Sequence, residues 1–433
     1  MNIRRLALEL LNEYEEGSKY VNLSLSSHSL DSLSREERAS LTALFYTTVE
    51  RKLTFDYYIS ALSSRSLEKI DPVTRNLLRL GLCQIEKMDS VPDFAAVNET
   101  VKLARNKGEA AFVNGVLRAA VRTKGELPLP DKNKNYKRYL SVKYSFPLHL
   151  VKHFSSLYGE EECERLLLHF NGEKYTDLTV NTMKISTEEY AKMLSENGYS
   201  SVITENSVRI SRSVNPELLP GFSDGLFFVQ DRASYISSLV LSAKSSETVI
   251  DTCACPGGKS FASAISMKNE GRIYSFDLHE SKLSLIDSGA RRLGLGIIEP
   301  DQCDATVGRE YLFGTADAVI CDAPCSGLGV LGKKPDLRYK SEDETAELPK
   351  LQLEILKTSA RYLKVGGRLV YSTCTLNPKE NEEVISKFLS ENGDFETEDF
   401  DVLSYHSDGG MLTLLPSKTH TDGFFIAKII RKK

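Results

Sequence analysis

Long hydrophobic runs are missing from this sequence of 433 residues: none reaches the roughly 18 apolar residues that a membrane helix requires. The opening segment MNIRRLALELLNEYEEG also lacks the apolar stretch and small-residue cleavage site of a secretory signal, since Arg4 and Arg5 soon meet Glu13, Glu15 and Glu16. A cytoplasmic protein with no membrane contact is expected. Metal-binding spacing is missing too. The 8 cysteines include Cys253-x-Cys255 and Cys321-x3-Cys325, but no Cys-x2-Cys knuckle, and only 7 histidines are available. No metal is expected, and a disulfide framework does not suit a large cytosolic chain. A strong net charge is likewise absent, at −5, which by itself argues mildly against a nucleic-acid binder.

That average conceals an asymmetry. Residues 101–143 hold eleven basic residues against Glu109, Glu126 and Asp131, a net +8, which leaves −13 for the remainder. Such a stretch reads either as a solvated helix face with a charged linker or as a docking patch for a phosphate backbone.

The composition, 41% hydrophobic and 27% charged, is that of an ordinary globular chain. At about 100–200 residues per domain, it has room for two to four domains. Residues 1–125 carry apolar residues at helical spacing, with joints at Asp71-Pro72 and Ser90-Val91-Pro92. Residues 126–137, rich in Pro, Lys and Asn, read as a linker. Residues 138–240 read as a small α/β module: a strand over 176–185, a capped helix from Ser186, then a strand over 202–210. From 241 to 433 strands and helices alternate, which argues for a parallel, doubly wound sheet with ligands at the strand C-termini.

The strand 248–251 runs into Cys253-Ala254-Cys255-Pro256-Gly257-Gly258-Lys259-Ser260. Glycines at a strand-to-helix turn let a ligand approach the backbone. Gly258-Lys259-Ser260 matches the end of a P-loop, but that motif needs a glycine where Cys253 stands. A nucleoside-type cofactor fits better. It requires an acid at the end of the next strand, and Asp277 lies 20 residues after Gly257. Asp304 and Asp322 follow at later strand ends. The bland alternative is that these acids cap turns. Cys325 and Cys374 also end strands on the presumed ligand face, where a purely structural thiol is less expected.

DTCACPGGKS, CDAPCSGLGV and YSTCTLNPKENEEVI resemble the cofactor, Pro-Cys and Thr-Cys motifs of the RNA 5-methylcytosine methyltransferase family. FFVQDRASYISSLV and TDGFFIAKI resemble it as well. RKLTFDYYIS, DPVTRNLLRLG, VPDFAAVNETV and AFVNGVLR are similar to the NusB-type helical domain of its bacterial branch, so the resemblance covers nearly the whole chain.

The resemblance implies an all-α NusB-like domain, a small α/β RNA-binding module and a Rossmann-like methyltransferase domain using S-adenosylmethionine. It implies that Cys374 is the nucleophile, that Cys325 assists proton removal and release, and that Asp322, supported by Lys259, holds the cytosine edge. It assigns the cofactor to Cys253, Ala254, Cys255, Pro256, Gly257, Gly258, Lys259, Asp277, Asp304 and Asp322. The substrate it implies is a cytidine of 16S ribosomal RNA, free or within an assembling small subunit, and the protein is expected to be a monomer. Cys255, Phe146 and Thr179 depart from the family pattern, where Ala, His and Arg are expected. The rival reading is a non-catalytic RNA-binding protein, which would have no need of both thiols.

Overall fold

A computed structural model describes residues 2–17, 30, 33–211, 214–341 and 343–433. Part of the helical stretch expected for 1–125, residues 18–29, lies outside the described residues. The chain divides into two compact units: residues 1–171 with Lys334–Tyr339, and residues 172–333 with 340–433.

The first unit is helical. The helices Ile3–Glu15, Arg35–Glu50, Lys52–Leu62, Pro72–Lys87, Asp93–Val101 and Lys107–Arg122 turn their leucine-rich faces into one core. The expected joints are real. Asp71 Oδ1 accepts from the amides of Val73 and Thr74, with Pro72 in the first turn, where its missing N–H is harmless. Pro92 precedes the helix starting at Asp93.

The expected boundary at 137/138 is not where the units part. The helices Tyr136–Tyr144, Leu148–Tyr158 and Glu160–Phe170 belong to the helical unit. Thr54 donates to the Val142 carbonyl at 2.6 Å, and Phe146 and Phe154 both pack against Phe170. The Pro- and Lys-rich segment marks a turn; the apolar faces after it still find their core in the same unit.

The second unit begins with a small antiparallel sheet of β1 (Thr176–Val180), β2 (Ser201–Thr204), β3 (Ser207–Ile210) and β4 (Phe227–Val229), in the order β2-β3-β1-β4. The single strand expected over 202–210 is a hairpin, broken at Glu205-Asn206. The helix after Ser186 is capped as expected: Ser186 Oγ accepts from the Glu189 amide, and Glu189 accepts from the Ser186 amide.

The larger sheet contains β5 (Thr248–Asp251), β6 (Arg272–Asp277), β7 (Ile298–Gln302), β8 (Ala316–Asp322), β9 (Leu363–Thr373), β10 (Phe395–Thr397), β13 (Met411–Leu414) and β14 (Phe424–Arg431). The strands β11 (Asp401–Val402) and β12 (Tyr405–His406) form a separate short pair. Strand order is β10-β14-β9-β8-β5-β6-β7, with β13 also on β14. Pairings from β7 through β9 are parallel, as the alternating pattern requires. The sheet as a whole is mixed, however, because β14 runs antiparallel to β9. Order reverses between β5 and β8, so ligands are expected at the carboxyl ends of those strands.

Candidate active site

Asp251 ends β5 and is buried, where its Oδ2 accepts from Ser260 Oγ at 2.7 Å. Burial pushes its carboxyl up to about 7. The bond ties the strand end to the helix Gly258–Ser266 and closes the turn between them. Gly257 has φ +110, and a Cβ there would lie 2.4 Å from the Phe261 ring. No other residue fits this turn, which leaves backbone N–H groups of the helix start open to an approaching ligand. The peptide bond Cys255–Pro256 is cis.

Two acids end the next strands. Asp277, at the end of β6, accepts the His279 amide on Oδ1. Asp304, exposed after β7, accepts the Thr306 amide and hydroxyl on Oδ1. Both therefore cap turns, and each keeps Oδ2 without a hydrogen bond among the described residues. A glycine turn followed by carboxylates with a spare oxygen fits a nucleoside-type cofactor. Lys259 does not serve as a P-loop lysine would. Its Nζ donates to Asp322 Oδ2 at 2.6 Å and to Ser234 Oγ at 2.9 Å, above the Phe424 ring.

Asp322, at the end of β8, also accepts from Ser372 Oγ at 2.6 Å. The Pro-Cys segment leaves β8 and the Thr-Cys segment leaves β9, adjacent strands. Their thiols meet: Cys325 Sγ and Cys374 Sγ are 3.3 Å apart and not joined in a disulfide. The hydrogen bond with Cys374, burial and the charge of Glu380 hold the Cys325 thiol well above the ordinary cysteine range. Burial also pushes up the thiols of Cys253 and Cys255, in the turn after β5. Ala254 is buried in the turn and Pro256 exposed on it.

Several residues of this site had no role read from sequence. Glu380 is fully buried and bonds Ser326, the residue after Cys325. Ser326 in turn meets Thr375, the residue after Cys374. Gly329 lies against Gly423, 1.8 Å from its carbonyl were a Cβ present, and Gly423 N donates to Gly329 O. This brings the Pro-Cys loop against the TDGFF segment. Lys333, at the end of that loop, bonds Asp231 and Asp422 at 2.6 and 2.9 Å. Burial and the Asp231 carboxylate push Asp422 up. Ser326, Thr375, Glu380, Asp231 and Asp422 all stand in the motif segments; their partners lie too far along the chain for spacing to show.

The departures are accommodated. Thr179 is buried on β1 and donates to Gln230 at 3.3 Å, and Phe146 is covered by the Arg338 guanidinium at 3.9 Å. The basic stretch is partly neutralised within the helical unit: Lys143 pairs Glu164, Lys124 pairs Asp93, and Lys137 approaches Glu160 at 4.0 Å. Lys132 lies over the stacked rings of Tyr136 and Tyr139. Among the described residues no helix is long and apolar enough to cross a membrane.

A doubly wound sheet with a glycine cradle, acids at successive strand ends and a pair of thiols beside them is the fold of a Rossmann-like, class I S-adenosylmethionine-dependent methyltransferase. Residues 238–430 match the family described as 16S rRNA methyltransferase RsmB/F, and residues 1–122 match the NusB family. The chain is 38% identical to the "Probable ribosomal RNA small subunit methyltransferase B" of Bacillus subtilis, over 100% of this chain and 99% of that protein. It is 30% identical to the ribosomal RNA small subunit methyltransferase B of Proteus mirabilis, over 92% of each. The crystal structure of PH0851 aligns over 100% of this chain and 99% of that one, with 28% identity and a TM-score of 0.82. The chain belongs to the RsmB/F methyltransferase family, in the form that carries a NusB domain.

Proposed function

We propose that the protein transfers the methyl group of S-adenosylmethionine to C5 of a cytidine in 16S ribosomal RNA, through a covalent bond between Cys374 and C6 of the base. The observation that carries this reading is the 3.3 Å approach of Cys325 and Cys374 beside the Asp322–Lys259 pair. Cytosine C5 is too weak a nucleophile to take a methyl group unaided. Addition of the Cys374 thiolate to C6 makes C5 enamine-like. Asp322 accepts a hydrogen bond from the exocyclic amino group and relays to N3 a proton from the Lys259 ammonium, which N3 gives back along the same path when the ring is restored. Cys325 gives its thiol proton to solvent once its partner's charge has gone into the C6 bond, and the resulting thiolate then takes the C5 proton. The electrons of that C–H bond restore the C5=C6 double bond and expel Cys374 as thiolate. Bound on the Gly257–Gly258 turn with its ribose on Asp277 and its adenine toward Asp304, S-adenosylmethionine would supply an electrophilic methyl group.

The target base must leave its stack to reach these thiols, which suits exposed ribosomal RNA, free or in an assembling subunit. The cations of residues 101–143 would hold its phosphates.

The test uses RNA carrying 5-fluorocytidine, which blocks proton loss and traps the bond. Cys374→Ser should lose both turnover and the adduct; an adduct that survives would move the nucleophile elsewhere. Cys325→Ser should form the adduct and fail to release product, so that a slow-migrating protein–RNA band accumulates even on unmodified RNA. Normal turnover without that band would remove Cys325 from the reaction.

A further inference from the structure

Glu380 closes the short turn Pro378–Glu380 and has no solvent exposure. Its carboxylate accepts four hydrogen bonds. Oε2 takes the Ser326 amide at 2.9 Å and the Gln352 side-chain amide at 3.0 Å. Oε1 takes the Ser326 hydroxyl at 2.5 Å and the Asn377 side-chain amide at 2.9 Å. The three N–H groups, from Ser326, Gln352 and Asn377, can only donate, and the Ser326 hydroxyl donates as well, an arrangement that suits an acceptor-only carboxylate; a glutamine would set its own amide against one of these N–H donors. Every one of the four is also neutral. Glu380 is thus a buried anion held by dipoles, a costly arrangement that a structural hydrogen-bond hub would not require.

Its place explains the cost. Ser326 spends its hydroxyl proton on Glu380, so in the 2.7 Å bond between Ser326 Oγ and Thr375 Oγ1 it is Thr375 that donates. One carboxylate therefore orients, in a fixed direction, the residue after Cys325 and, through it, the residue after Cys374. Tyr371, the residue three before Cys374, donates to the Glu380 carbonyl at 2.7 Å and fixes the same turn from β9.

We propose that Glu380 is the positioning residue of the thiol pair: its ionised carboxylate holds Cys325 and Cys374 side by side and directs the negative charge to Cys374 before addition to the base. The direct bonds run to the Cys325 side, where a second negative charge is least tolerated, and the link toward Cys374 passes through the Ser326 and Thr375 hydroxyls. This inference rests on the covalent reaction proposed above and names what makes its two thiols unequal.

The experiment compares E380Q with wild type in three measurements: kcat and RNA KM for methyl transfer, the rate of adduct formation on 5-fluorocytidine RNA, and the split of iodoacetamide labelling between Cys374 and Cys325 by peptide mass spectrometry. Displacement of a reacting group by a fraction of an ångström should lower kcat by about 10- to 100-fold, with RNA KM within about threefold of wild type. Adduct formation should slow by the same factor. Because only the thiolate is alkylated readily, labelling should move from Cys374 toward Cys325. A labelling split equal to wild type, or full kcat, would overturn the proposal. If E380Q does not fold, Thr375→Val removes the hydroxyl link toward Cys374, together with a long 3.4 Å bond from the Asn377 amide, and leaves the charge in place. It should slow adduct formation while labelling still favours Cys374, and wild-type adduct kinetics in that variant would overturn the positioning role. A wild-type enzyme that forms no adduct would instead refute the covalent reaction itself, so the two failures are distinguishable.

Discussion

Each unit buries a charge at its centre, and the two are treated in opposite ways. In the helical unit Arg79 is almost fully buried, and its guanidinium meets Asp56 at 2.6 and 2.7 Å and Glu15 at 2.5 Å, with Asn76 beside them. Opposite charges surround it, so little field escapes and the network only joins helices. In the methyltransferase unit Glu380 meets amides and hydroxyls alone. Its field is left to act on titratable groups nearby, the Cys325 thiol and the Tyr371 phenol among them. A buried charge neutralised by partners serves packing, whereas one held by dipoles can serve chemistry. Asp251 falls between them, with a single side-chain hydroxyl as donor.

The contrast is broken most severely at Arg79. Arg79→Ala leaves Asp56 beside the core without its cation, Glu15 keeping Lys52 at 3.1 Å, and loss of one partner of a buried pair costs about 3–5 kcal/mol. Denaturant unfolding should show that loss in the helical unit, while calorimetric S-adenosylmethionine affinity stays as in wild type. A fall in cofactor affinity would mean that the network does more than pack helices.

Asp251 should respond to pH. Its folded-state value of about 7 lies above the ordinary 3.8. Its contribution to stability is therefore fully present below about pH 4 and is lost as pH rises to about 7, by up to about 1.4 kcal/mol per pH unit. Asp251→Asn removes the titration. Urea unfolding of wild type and variant from about pH 4 to 8 should converge at the acid end and favour the variant at the alkaline end. Parallel curves would show that the carboxylate is solvated.

Asp277 tests the cofactor cradle. A carboxylate receiving two ribose hydroxyls makes charge-assisted bonds worth about 1.5–3 kcal/mol. Asp277→Ala should weaken S-adenosylmethionine binding by about 10- to 100-fold. Unchanged affinity in a folded variant would leave Asp277 as a turn cap alone.

The smallest effect concerns surface charge. Replacing Lys132, Lys134, Lys137 and Arg138 with Ala should reduce the slope of log K for RNA against log salt by about 0.7 per lost single-strand contact, or about 0.9 per duplex-like contact. Because Lys137 and Lys134 each lie 4.0 Å from an acid, the total should fall short of four contacts. Equal slopes would identify the segment as a solvated linker.

Much of the fold is legible without coordinates, because helical spacing, capping residues and the alternation of strand with helix are local signals. Ser186 with Glu189, Asp71 with Pro72, and the strands ending at Asp251, Asp277 and Asp322 all appear where the pattern places them. The unit boundary was not legible, since a Pro- and Lys-rich turn reports a change of direction and says nothing about which core the next apolar face enters. The antiparallel β14 was hidden for a similar reason: a strand's direction depends on its partner.

The site divides along the same line. The order of residues already contains the chemical inventory: a glycine turn that admits a ligand, acids at strand ends, and thiols after β8 and β9. Residue type and position along a strand suffice for that. Folding alone brings Cys325 and Cys374 to 3.3 Å, sets Lys259 against Asp322 and bonds Glu380 to Ser326. Those pairs are separated by 49, 63 and 54 residues. Their meeting depends on sheet order and on burial, which bring distant loops to one edge and strip away the water that would otherwise satisfy each polar group separately.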